Sequence, residues 1–150
     1  MKLLFDTSIL IASLVEKHTA YAVAYSWLEA VMNGSETGLL STHSLAEAYA
    51  KLTRIPFEGG TLSALHVRSL LLETVAQSFT VISLTENDYR SVIGHLADSG
   101  QTGGIIYDAL ILRAGVKANA DRILTLNARH FRSIDSTLAD HIFDPSALLP

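Results

Sequence analysis

The chain has 150 residues, 49% of them hydrophobic and 17% charged, with no cysteine and a formal net charge of −4. The missing cysteines exclude a disulfide scaffold, a thiolate zinc site, an iron–sulfur cluster and a cysteine nucleophile. Apolar runs are broken by charge well short of the roughly 18 residues of a membrane span, and the Met1-Lys2 start meets Asp6 too soon for a signal peptide, so a soluble, cytoplasmic protein is expected.

Lys2-Leu3-Leu4-Phe5 is a short apolar run that stops at Asp6-Thr7-Ser8, the pattern of a strand followed by helix-capping residues. A helix is expected over residues 9–16. Another is expected over 21–32, where Tyr21, Tyr25, Leu28 and Met32 recur at helical spacing before Asn33-Gly34 ends it. Gly38-Leu39-Leu40-Ser41 reads as a strand leading into a helix over 43–52. Residues 57–60 and 99–104 read as glycine-bearing loops. An apolar helix is expected over 62–77 and a strand over 79–84, after which Thr85-Glu86-Asn87-Asp88 caps a helix ending near Ala97. The remainder reads as a helix over 106–119, a strand over 122–125, a short turn over 127–131 and an edge strand over 141–143.

Short strands without period-2 alternation, interleaved with helices, predict an α/β fold: a parallel sheet of four to five short strands flanked by helices on both faces. No linker, repeat or low-complexity tract divides the chain, so residues 1–150 are expected to form a single domain. Sites in such sheets form beyond the carboxyl ends of the strands, which directs attention to Asp6, to residues 41–47 and to residues 125–127. Each acid near these ends has an ordinary explanation by itself. Asp6 suits a helix cap, Glu47 a solvated helix face, and Asp108 the first turn of its helix. Together they would crowd one sheet edge with like charge unless a hard divalent cation such as Mg²⁺ or Mn²⁺ sat among them. Such an ion activates water and offsets charge on a phosphodiester.

Four segments carry a family resemblance: Leu4-Phe5-Asp6-Thr7-Ser8; Ser44-Leu45-Ala46-Glu47-Ala48-Tyr49 with Leu52-Thr53-Arg54-Ile55-Pro56; Tyr107-Asp108-Ala109-Leu110-Ile111; and Ile123-Leu124-Thr125-Leu126-Asn127-Ala128-Arg129-His130-Phe131. In this order and at these spacings the chain resembles, over nearly its whole length, a PIN-domain ribonuclease of the VapC type, the toxin of a toxin–antitoxin pair. The resemblance implies a metal-dependent endoribonuclease, usually a homodimer, silenced by a cognate antitoxin that lies across apolar helices, here those over 46–52 and 62–72. It also implies that Asp6, Glu47 and Asp108 are the catalytic acids, with Asp6 and Asp108 on the metal and Glu47 reaching it directly or through water. Where the family often has a fourth acid after the last strand's Thr, this chain has Asn127, with His130 close by. Asn127 stands as a further candidate ligand through its carbonyl oxygen, or as an Asx-turn residue, and the number of metal ions stays open.

Setting the three site acids aside leaves 11 basic residues against 12 acidic, so the charge balance does not oppose RNA. Residues 101–135 are locally basic, and Arg113, Arg129 and His130 are all candidates to hold phosphate. His18, His43, His66, His95 and His141 show no metal-ligand spacing, and Trp27 with the Tyr21/Tyr25 stripe reads as core or dimer packing. No phosphate-binding loop, dinucleotide fingerprint or serine-nucleophile elbow is present. Two rival readings stay open. An aspartate-nucleophile phosphatase also opens with a strand ending in Asp, but it normally has a second Asp where this chain has Ser8. A PIN-like fold that only binds a partner is favoured by Asn127.

Overall fold

In the computed structural model, which describes residues 1–57 and 60–148, the run Lys2–Phe5 is strand β1. Leu3 and Phe5 point into one hydrophobic cluster and Leu4 into another, so both faces of the strand are covered and no polar position interrupts it. Each such buried side chain contributes about 1.5–3 kcal/mol relative to an exposed one. Helices α1 (Thr7–Leu14) and α2 (Tyr21–Met32) lead to β2 (Thr37–Ser41) and α3 (Thr42–Leu52). A small hairpin, β3 (Pro56–Phe57) and β4 (Gly60–Thr61), stands where a loop is expected; Glu58 and Gly59 of that stretch lie outside the described residues.

The apolar helix expected over 62–77 begins two residues later and is not uniform. It consists of α4 (Ala64–Ser69), a π-helical stretch over Leu70–Val75 and α5 (Ala76–Ser78). Ser63, not Leu62, opens it, because the Ser63 hydroxyl accepts the His66 N–H at 3.2 Å. Strand β5 (Phe79–Ile82) ends two residues sooner than expected and precedes α6 (Glu86–Asp98) and α7 (Ile105–Lys117). Strand β6 (Arg122–Leu124) follows, then α8 (Ala128–Ile134), a 3-10 turn, β7 (Ile142–Phe143) and a last 3-10 turn. The expected turn over 127–131 is in fact the start of helix α8, held by buried Ala128, Phe131 and Ile134 at helical spacing.

The five-stranded sheet has the order β5-β2-β1-β6-β7, with every pair parallel. β1 is central, and the chain runs to β2 on one side of it and to β6 on the other. That reversal opens a crevice beyond the end of β1. Residues of α1–α3 and α4 build one core cluster with Leu3, Phe5 and Leu40, and residues of α6–α8 build the other with Leu4, Leu39 and Ile123. Gly38 of β2 is needed for the first of these: a Cβ there would lie 2.5 Å from Val31 and 2.6 Å from the Phe79 ring. That ring is itself fixed edge-on against Phe5 at 5.0 Å.

On α2 the spacing is helical but the buried stripe is Ala24, Leu28 and Val31. Tyr25 and Met32 are exposed, so the Tyr21/Tyr25 stripe is not core; its two rings stack on each other instead. The cap of α6 is a complete capping box between Thr85 and Asp88. Asp88 also receives Lys117 at 2.8 Å and Arg113 at 2.9 Å, which pins the start of α6 to the second half of α7. Lys117 foremost, then the Thr85 backbone N–H, holds the Asp88 carboxyl well below the usual carboxylate range. No described helix is long and apolar enough to cross a membrane.

Candidate active site

Asp6 directly follows β1 and is only 2% exposed. It occupies the N-cap position of α1 without a side-chain capping hydrogen bond, although the Ser8 and Thr7 backbone N–H groups still favour its charge. Its Oδ2 accepts the Ser8 hydroxyl at 2.5 Å and the Thr125 hydroxyl at 2.8 Å. Those hydroxyls in turn accept the Leu126 and Asn127 backbone N–H groups at 3.0 and 2.9 Å. The end of β1 is thereby cross-braced to the end of β6, and Oδ1 has no side-chain donor among the described residues. Burial pushes the Asp6 carboxyl up, against the lowering effect of Ser8 and Thr125.

Asp108 lies in the first turn of α7, within range of the Asp6 charge. Burial and then the Asp6 charge push its carboxyl up to about 6, with Glu47 adding to the rise and His130 opposing it. His130 Nδ1, from the first turn of α8, stands 3.6 Å from Asp108 Oδ2. Glu47 sits in the second turn of α3, with Oε1 on Lys51 Nζ at 2.7 Å and Oε2 3.9 Å from His43 Nε2. Burial raises the Glu47 carboxyl, but Lys51, Thr7 and His43 together outweigh it and hold the group below its ordinary value. The Thr7 hydroxyl is buried beside Glu47 without completing a hydrogen bond.

The three acids thus sit in unlike settings. The Asp6 and Asp108 carboxyls are raised by burial and, for Asp108, by the charge of its neighbour, while Glu47 stays charged and is paired with a lysine of its own helix. Among the described residues no three acidic or histidine side chains stand close enough to form a ready-made metal cage. The donor set nonetheless fits a hard divalent cation. Asp6 supplies a buried carboxylate and Asp108 a half-buried one, and partial desolvation raises both, a cost that a Mg²⁺ or Mn²⁺ ion would relieve.

Asn127 is exposed and precedes α8. The Asx-turn reading does not hold: Thr125, not Asn127, supplies the oxygen that closes the turn, and the Asn127 side chain has no hydrogen bond among the described residues. Of the three candidates for phosphate, Arg113 is committed to Asp88. Arg129 and His130 instead line an open cavity of about 570 Å³ together with Asn127, Arg132 and Phe143. His43 is not a scattered histidine. Its ring stacks on Tyr107 with centroids 5.0 Å apart and planes within 4°. Sequence spacing offers no signal for that pair, because the two rings lie on different helices.

The raised Asp108 carboxyl has a thermodynamic consequence. An acid whose value is higher in the fold than in the unfolded chain is stabilising when protonated, so stability is full at low pH and declines as pH rises from 3.8 toward about 6. Allowing for solvent screening at this half-buried group, the loss is about 1 kcal/mol. Urea unfolding at pH 4 and pH 7 with chelator present should show a smaller pH dependence for Asp108→Asn than for the unaltered chain. Equal dependence in both would refute the account.

The PIN domain family matches residues 3–136. Ribonuclease VapC27 of Mycobacterium tuberculosis is 35% identical over 124 residues, covering 83% of each chain. FitAcB from Neisseria gonorrhoeae superposes with a TM-score of 0.69 at 15% identity, over 97% of this chain and 99% of the other. VapBC2 from Rickettsia felis, solved bound to a DNA fragment from its promoter, gives 0.67 at 20% identity, over 96% and 98%. At those identities the two structures speak for the fold.

Proposed function

The chain belongs to the PIN-domain family, and from that premise we propose that it is a metal-dependent endoribonuclease, the toxin of a toxin–antitoxin pair. What supports this reading is the pair Asp6, buried beyond the end of β1, and Asp108, half-buried in the first turn of α7 and raised by burial and by the Asp6 charge. In this reading Asp6 and Asp108 hold a Mg²⁺ or Mn²⁺ ion, Glu47 supports it directly or through water, and Asn127 is a further candidate ligand. When bound, such an ion supplies Lewis-acid activation of an attacking water and offsets charge on the phosphodiester.

The chain's own residues do the rest. Ser8 and Thr125 fix the orientation of Asp6 by donating to one oxygen, which leaves the other for the ligand site. Lys51 keeps Glu47 ionised and turned on Oε1, so Oε2 is the atom left to orient a water. His130 and Arg129 hold the phosphate that is cut, and Arg113, held on Asp88, does not. The aspartate-phosphatase reading loses further ground, since Ser8 serves here as a donor to Asp6.

For the partner, a groove of about 470 Å³ between α3 and the α4–π-helical segment is lined by Leu45, Tyr49, Leu65 and Leu72 beside Arg68. It lies within the two apolar helices that the family resemblance singles out, and it suits an apolar antitoxin segment. The same reading carries a cytoplasmic, homodimeric protein.

The test is RNA cleavage by the purified chain with chelator, with Mg²⁺ and with Mn²⁺. Cleavage should require a divalent ion. Full activity in chelator would overturn the metal reading, and inactivity with every ion would overturn the nuclease. Asn127 leaves one negative charge fewer than a fourth acid would, so calorimetry without RNA should find one well-occupied Mn²⁺ site. Two tight sites would refute that charge argument.

A further inference from the structure

We propose that the stacked Tyr107–His43 ring pair is a platform for an unpaired base of the RNA strand, set against the acid site. The proposal rests on the ribonuclease reading and adds the residues that select the substrate's form. Both rings are carried by the helices that carry acids: His43 lies one turn ahead of Glu47 on α3, and Tyr107 immediately precedes Asp108 on α7. The rings are stacked and nearly parallel, 4° apart with centroids at 5.0 Å. His43 thus backs the Tyr107 ring and fixes its plane.

Tyr107 is nevertheless 53% exposed, and its hydroxyl has no hydrogen-bond partner among the described residues. A ring present only to join two helices would bury more of its surface. The other aromatic pairs differ. Phe5–Phe79 is core, Trp27 packs edge-on against Phe143, and Tyr21–Tyr25 lies along α2, which carries none of the acids.

The position explains what such a platform is for. On α7 Asp108 is flanked by Tyr107, and His130 closes on its carboxylate from α8. Beyond His130 lies the cavity of Arg129 and Arg132. A strand with one base laid on Tyr107 therefore passes its backbone over the acids, where His130 and Arg129 take the phosphate that is cut. Stacking reads the face of a base and not its edge, so the platform accepts any base and gains most from a purine. A paired base cannot lie on it, because its faces are already stacked in the duplex.

The experiment uses a short single-stranded RNA carrying 2-aminopurine, titrated with Asp6→Asn protein so that the strand stays whole. Fluorescence should quench on binding, and Asp6→Asn/Tyr107→Ala should bind about 5- to 100-fold more weakly with little quenching. Tyr107→Phe and Tyr107→Trp in the same background should bind within about twofold of the parent, since both keep a ring. The same 2-aminopurine placed in a duplex should bind weakly and show no Tyr107-dependent quenching.

Equal affinity and quenching with and without the Tyr107 ring would overturn the platform, and so would a fall in melting temperature with unchanged affinity. Cleavage by the unaltered chain with Mn²⁺ tells that failure from the other: if it persists, the nuclease reading stands without the platform. If it is absent, both fall.

Discussion

Asp6→Asn is expected to cut RNA cleavage by a factor on the order of 10²–10³ or more while the fold persists. The amide oxygen can still accept the Ser8 and Thr125 hydroxyls, so the brace between β1 and β6 survives the change. What is lost is a buried negative charge within range of Asp108. Removing one of two like charges in a desolvated site relieves repulsion, so in chelator the variant should melt at the same temperature as the parent or higher. Activity and melting curves measured on one preparation decide the matter. Substantial cleavage by Asp6→Asn would remove Asp6 from the catalytic set, and a large fall in melting temperature would assign it to the fold instead.

Phe131→Ala has the second large effect, and it acts through the scaffold. Phe131 is completely buried in the core cluster shared with Leu4, Ile111 and Ile123, and it anchors the short helix that carries His130 and Arg129. Truncating a buried aromatic ring costs about 3–5 kcal/mol, a large part of the 5–15 kcal/mol that holds a typical domain. Urea denaturation should register that loss, and cleavage should fall in parallel, because α8 no longer sets His130 against Asp108. A loss below about 1 kcal/mol would show that the site collapses around the gap and that α8 is held by other contacts.

What the sequence discloses here is what local chemistry writes into it. The apolar run before Asp6 and the Thr85–Asp88 cap each lie within a few residues and are found where those residues place them, and the strand expected over 122–125 is found one residue shorter, as Arg122–Leu124. Asp6 and Asp108 stand out for the same reason, since one follows a strand and the other lies in the first turn of a helix, whereas Glu47, in the second turn of α3, has no such local mark. Features made across the chain are not legible. Thr125 reads as the end of a strand, and nothing nearby says that its hydroxyl supports Asp6 from 119 residues away. Asp88 reads as a cap, and the sequence is silent on Arg113 and Lys117, which turn it into a clasp between helices. The stripe of Tyr21, Tyr25 and Met32 has the right period but the wrong face, because period alone does not say which side of a helix meets the sheet. The π-helical stretch over Leu70–Val75 leaves no mark at all, since one shifted backbone bond has no composition of its own.

The bond between Asp6 and Thr125 also sets a clock. A ribosome adds about 5–20 residues per second, so roughly 6–24 s separate the synthesis of the first acid from that of the hydroxyl that orients it. Throughout that interval β1 lacks its β6 neighbour, and the helix bearing His130 has not been made. An enzyme that attacks RNA while it is itself being translated from RNA would endanger its own production. On the proposed reading, the nascent chain therefore lacks the donor that orients its first acid until Thr125 has been translated, and in the same seconds a partner already made has time to find it.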